Sequence, residues 1–61
     1  MNIEQERWAE ALAVERAHGE EAPAFIAERI GVLALDGDEK GIERWLGIAA
    51  LVDALRQSTI Q

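Results

Sequence analysis

The sequence predicts an all-α fold, a compact three-helix bundle with helices over residues 3–18, 23–35 and 39–56. Three observations point to it. Apolar residues recur at spacings of three and four, and residues that commonly begin or end helices divide the chain into three segments. The third observation is length, because 61 residues suffice for one small domain. We therefore interpret residues 1–61 as a single helical domain, with 57–61 as a tail that is expected to fray.

The first predicted helix, 3–18, follows Asn2, whose side chain is a good N-terminal cap. Acidic residues occupy its first turn, where negative charge is favourable, and Gly19 marks its end. Trp8 and Leu12 lie one turn apart on this helix, and Trp45 lies on the apolar stripe of the third. We therefore expect the two tryptophans to be core residues that join the first and third helices.

The second predicted helix, 23–35, begins at Pro23, a residue favoured in the first helical turn because it lacks an N–H group. Ile26 and Ile30 belong to one apolar stripe, and a second side of the helix is also apolar, with Phe25, Val32 and Leu35. A helix that is apolar on two sides is expected to be central, or to have a partner on each side.

The third predicted helix, 39–56, has Asp38 as its N-terminal cap. Its apolar residues give the clearest amphipathic pattern in the chain, at Ile42, Trp45, Ile48, Ala49, Val52 and Leu55.

Residues 35–41 read LDGDEKG, which resembles the start of a calcium-binding EF-hand loop, with Asp36 and Asp38 at loop positions one and three and Gly41 at six. Position five, however, is Lys40, and position twelve is Gly47, so two essential oxygen ligands are missing. We therefore predict a capped turn between helices and no calcium site.

The chain has more large apolar residues than one seam between three short helices can cover, and the surplus predicts a self-association surface. Gly31 and Gly47 fall inside predicted helices, where glycine costs about 1 kcal/mol relative to alanine. Close packing against another chain would explain both glycines. The alternative, that both are tolerated on an exposed helix face, stays open. The predicted interaction surface comprises Phe25, Val32, Leu35, Gly47, Ala50 and Ala54.

Twelve acidic and six basic residues give a formal net charge of −6, and the basic residues are scattered along the chain. Nucleic acid is therefore not an expected partner, and a DNA-binding regulator is a distant possibility only. The sequence has no apolar run long enough to span a membrane, and its first residues are acidic where an export signal would be basic. We expect a cytoplasmic protein.

Catalysis is not expected. The chain has one histidine, no cysteine and no tyrosine, and its only hydroxyl side chains, Ser58 and Thr59, lie in the predicted tail. We therefore predict a protein without a catalytic residue or cofactor, most simply a small interaction or regulatory module that forms a homodimer or binds another protein.

Glu15 and His18 support an alternative function. Their Glu-x-x-His spacing is the one that di-iron helical bundles repeat in each of two helices. The chain has one copy, so a symmetric dimer would have to supply the second. The alternative is thus a small-ligand or metal-binding bundle; the simpler interpretation places His18 at the carbonyl end of its helix.

Residues 37–55 read GDEKGIERWLGIAALVDAL. This segment, about a third of the chain, resembles short, functionally uncharacterised proteobacterial proteins whose last helix reads GD-x-x-G-x-x-x-W-x-x-IA-x-x-(V/I)-x-x-L. The resemblance implies a bacterial helical domain of unknown function, and it carries no catalytic or binding residue to this chain.

Overall fold

The computed structural model describes residues 2–58 and confirms the all-α fold class. Helix α1 spans Ile3–His18, a short 3-10 turn spans Gly19–Glu21, α2 spans Ala22–Asp36 and α3 spans Glu39–Ser58. The part of the chain described contains no strand. Within the same residues, no helix combines the length and the apolar character that crossing a membrane requires.

Helix α1 has the predicted bounds because its N-terminus is closed by a reciprocal cap. The Gln5 N–H donates to Asn2 Oδ1 at 2.8 Å, and the Asn2 N–H donates to Gln5 Oε1 at 3.3 Å. This capping box satisfies backbone donors that the helix itself leaves unpaired. At the other end Gly19 adopts a φ of 56°, which glycine reaches at little cost.

The turn between α2 and α3 is the capped turn that LDGDEKG predicts. Gly37 has the left-handed φ of 72°, its N–H donates to the Ala34 carbonyl at 3.1 Å, and the Asp38 N–H donates to the Leu33 carbonyl at 3.0 Å. This pair of bonds is a Schellman motif, which satisfies the last carbonyls of α2. Position 41 favours glycine because a Cβ atom there would lie only 2.6 Å from Asp38 Oδ2.

Replacing Asp38 by alanine is expected to lower the free energy of unfolding by about 1 kcal/mol, because the Gly41 N–H donates to Asp38 Oδ1 at 2.9 Å and would lose this cap. Thermal unfolding with and without calcium measures it, and the midpoint should fall by about 4–8 °C in both conditions. Asp36→Ala is the matched control, since it removes the same charge without removing the cap. A loss that appears only with calcium would contradict the turn interpretation.

Two helices are longer than predicted. Helix α2 gains Ala22 and Asp36, one residue at each end, and α3 continues to Ser58, two residues past its predicted end. That the tail from residue 57 frays stays a prediction. Gln57 Nε2 donates to Asp53 Oδ2 at 3.0 Å, one turn back, which supports the last turn of α3. The remainder of the predicted tail, 59–61, lies outside the described residues.

Helix α3 organises the packing, since it lies against both α1 and α2 while those two helices contact each other less. Glu10 pairs with Arg44 and Gly19 with Arg56, so α1 and α3 run in the same direction. Five residues form the buried core: Ala11, Ala22, Ile26, Ile48 and Val52. Because α1 contributes only an alanine to them, most of the buried apolar volume belongs to the α2–α3 pair.

The expectation that Trp8 is a core residue is wrong, because it is 38% exposed, whereas Trp45 does pack against the core. Leu12, one turn after Trp8, is also exposed, at 40%. Helix α1 instead turns Ala11 inward, with Glu10 beside it. Glu10 accepts hydrogen bonds from Arg7 on its own helix, at 2.9 Å, and from Arg44 on α3. The side of α1 that packs on the rest of the domain therefore carries Glu10 and Ala11, and not Trp8 and Leu12.

Candidate interaction surface

An apolar groove runs between α2 and α3, with a volume of about 260 Å³. Ile26 and Val52, both almost fully buried, form its floor. Ala27 on α2 is exposed and Ala49 on α3 is half-buried, so short side chains stand where longer ones would close the groove. The full lining is Pro23, Ile26, Ala27, Ile30, Ala49, Val52, Asp53 and Arg56.

The two charged residues that line the groove, Asp53 and Arg56, both lie on α3. Arg56 donates to the Gly19 carbonyl at 3.2 Å, and its Nη1 lies 3.7 Å from Glu15 Oε2. Asp53 accepts the hydrogen bond from Gln57. Arg56 therefore ties α3 to the end of α1, and the groove lining carries no net charge although the chain has a formal charge of −6.

Large apolar side chains are also exposed outside the groove. Leu35, at the end of α2, is 90% exposed, and Leu46 on α3 is 55% exposed. Isolated apolar residues on a protein surface are ordinary. In this domain, however, the exposed large apolar residues outnumber the buried apolar residues. The large apolar residues exposed within the described chain are Ile3, Trp8, Leu12, Val32, Leu35 and Leu46.

Phe25, a member of the predicted interaction surface, makes its main contacts inside the molecule. Its ring stacks on His18 with 3.9 Å between centroids, and it meets the Trp45 ring edge to face at 5.8 Å. The Arg29 guanidinium lies 5.9 Å from the Trp45 ring centroid on the same cluster. Phe25 is half-buried and joins all three helices, whereas Val32 and Leu35 are exposed as a docking surface requires.

The small residues of the predicted surface, Gly47, Ala50 and Ala54, lie on α3 with the two alanines exposed. A Cβ at Gly47 or at Gly31 would meet no atom within 4 Å apart from the helix's own backbone and neighbours. Nothing described in this chain therefore packs closely enough to need either glycine. Close approach by another chain stays a prediction for both positions.

Glu15 and His18, the metal-ligand candidates, point to different neighbours. Glu15 is paired with Arg56, while the His18 ring is stacked on Phe25. His18 also lines a shallow surface hollow with Glu21 and Glu28. Among residues 2–58, no group of three or more His, Asp and Glu side chains could hold a metal ion within one chain. The hypothesis that a symmetric dimer completes such a site stays a hypothesis.

The groove was not predicted from the sequence, although its floor was. Its apolar lining residues Ile26, Ile30 and Val52 are all members of the predicted apolar stripes. The missing signal was a short side chain on each helix, Ala27 beside the stripe of α2 and Ala49 within the stripe of α3, because short side chains leave the space between two packed helices open.

Comparisons with known proteins identify a family but no function. A protein-family model described as a family of unknown function, DUF6961, matches residues 3–59. No curated protein and no solved structure matches the chain. The family match confirms the expectation of a domain of unknown function; the proteobacterial origin and the pattern in residues 37–55 stay predictions.

Proposed function

Because the chain belongs to that family of unknown function, DUF6961, we propose its role from its surface: a small, non-catalytic protein-interaction module that self-associates, most simply as a homodimer. The observation that carries the proposal is the mismatch between core and surface. Five residues are buried, while six large apolar side chains in the described chain are exposed. A second chain that covers part of this surface would add to the small core.

Energetics favour association for a domain of this size. A chain near 60 residues buries only about 60% of the surface that its unfolded form exposes, so its stability margin is small. Small domains commonly add disulfides, a metal or oligomerisation, and this sequence has no cysteine.

Bacterial origin and cytoplasmic location are part of the same proposal. The bacterial origin is supported by the resemblance of residues 37–55 to short proteobacterial proteins.

Sedimentation equilibrium over a wide micromolar range tests self-association. We expect the mass to rise from 6.7 kDa toward twice that value as concentration increases. Because each copy carries a formal charge of −6, added salt should strengthen an apolar dimer by screening the repulsion, as the Debye length falls from about 30 Å at 0.01 M to about 3 Å at 1 M. A folded monomer throughout the range would overturn the proposal.

A further inference from the structure

We propose that α1 is a cover that separates from the α2–α3 pair as one unit, before the rest of the domain unfolds, and so uncovers an apolar stripe on α3. The inference concerns a single copy of the chain and does not depend on self-association. It rests on the small apolar surface that α1 buries, on the arginines that hold it, and on the turn that joins it to α2.

Helix α1 buries little apolar surface. Ala11 is its buried residue, three of its four large apolar side chains are exposed, and the fourth, Val14, is half-buried against the core. The large side chains that are buried lie on the other two helices: Ile26, Ile48 and Val52. Because hydrophobic stabilisation grows with the apolar area buried, packing holds α1 less firmly than it holds α2 and α3 together. Elements with few buried apolar contacts are the ones that open before a whole domain unfolds.

Two arginines of α3 hold α1 in its closed position. Arg44 pairs with Glu10 in the middle of α1. Arg56 donates to the Gly19 carbonyl at 3.2 Å, and its Nη1 lies 3.7 Å from Glu15 Oε2. The side chains of these two ion pairs are between 26% and 50% exposed, so water weakens both pairs. Polar contacts of this kind can be broken without disturbing the contacts between α2 and α3.

The turn between α1 and α2 is suited to act as a hinge. It is a short 3-10 turn over Gly19–Glu21, and Gly19 has a φ of 56°. Glycine absorbs changes of backbone angles at little cost, and hinges consist of a few such residues at the ends of helices. The His18 ring, which stacks on Phe25 with 3.9 Å between centroids, lies next to this turn, so the stack moves least when α1 swings away.

The stripe of α3 that faces α1 is apolar apart from its first residue. Its members recur at spacings of four, three and four residues, which places them on one side of the helix: Arg44, Ile48, Leu51 and Leu55. The pairing of Arg44 with Glu10 identifies this side as the one that faces α1. Ile48 is buried, whereas Leu51 and Leu55 are half-buried although they pack against the core. Separation of α1 therefore uncovers three large apolar side chains on one helix face.

Hydrogen exchange of single backbone amides, at one fixed protein concentration, tests whether α1 opens separately. In the wild type the Leu12 amide, in the middle of α1, should exchange faster than the Ile48 amide of α3. Asp38→Ala removes the cap in the turn between α2 and α3, a contact that the open form keeps. The variant destabilises the closed and open forms equally, so Leu12 exchange should stay near the wild-type rate. Exchange of Ile48, which requires complete unfolding, should become about fivefold faster.

Arg56→Gln tests what holds the cover. The closed form alone has the contacts of Arg56 with the end of α1, so their loss should speed exchange of the Leu12 amide at least about threefold. Arg16→Gln is the matched control, because it removes the same charge from an exposed position on α1, and it should stay within about twofold of the wild type.

Two results would overturn the proposal. If Asp38→Ala speeds the Leu12 amide as much as the Ile48 amide, the three helices unfold as one cooperative unit and α1 is not a separate cover. If Arg56→Gln leaves the Leu12 amide at the wild-type rate, the amides of α1 exchange by local fraying and not by separation from α3.

Discussion

Replacing Ile48 by alanine should cost about 2–5 kcal/mol of unfolding free energy, the usual range for removing a large aliphatic side chain from a core. Ile48 is 1% exposed and belongs to the buried core together with Ile26 and Val52. A chain of 61 residues is expected to be stable by about 3–9 kcal/mol in total. The substitution should therefore remove a large part of the total stability, and it should leave much of the protein unfolded at room temperature if the wild type lies at the low end of that range.

Urea unfolding followed by circular dichroism measures the effect, at one fixed protein concentration because association would add to stability. Leu46→Ala is the matched control: it removes a similar side chain two residues away on α3, at a position that is 55% exposed. The control should stay within about 0.5 kcal/mol of the wild type in the monomer. Equal losses in the two variants would show that the contact between α2 and α3 is not the core of the fold.

The elements of the fold were predictable because their limits are set locally. The turn between α2 and α3 depends on residues within one short segment: Gly37 supplies the left-handed backbone, Asp38 caps α3, and Gly41 leaves room for the Asp38 carboxylate. The same holds for α1, where Asn2 and Gln5 are three residues apart. Each of these interactions can be inferred from neighbours in the sequence.

The orientation of α1 was not predictable in the same way. Spacing alone favours the Trp8 and Leu12 side as the core face, yet Ala11 is the residue that is fully buried. Glu10 and Arg44 are 34 residues apart in sequence, so no local pattern pairs them. We expect the long-range ion pair and the small Ala11 side chain together to decide which side of α1 faces inward.

The candidate surface was predicted only in outline. The surplus of apolar residues predicts a self-association surface, which stays a prediction; two of its members, Val32 and Leu35, are exposed. Phe25 could not be placed from helix spacing, because its position depends on His18 and Trp45, which come from the other two helices. A groove is also a property of two helices together, and neither the α2 pattern nor the α3 pattern contains it alone.

Reversing the charges of Glu10 and Arg44 should show how much their ion pair contributes to holding α1 against α3. Each single reversal, Glu10→Arg or Arg44→Glu, is expected to destabilise the protein by about 2 kcal/mol, between the 0–1 kcal/mol of an exposed pair and the 3–5 kcal/mol of a broken buried pair. The intermediate value follows from burial, because the Glu10 side chain is 26% exposed and that of Arg44 is 50% exposed.

The double variant, Glu10→Arg with Arg44→Glu, restores an opposite pair and should recover part of the loss. Recovery is incomplete because Arg7, which donates to Glu10 at 2.9 Å, would then face an arginine three residues away on the same helix. A double-mutant cycle in urea gives the coupling energy, for which contacting residues show about 0.5–3 kcal/mol. A coupling near zero would mean that the fit of Ala11 against α3, and not the ion pair, sets the orientation of α1 and keeps Trp8 exposed.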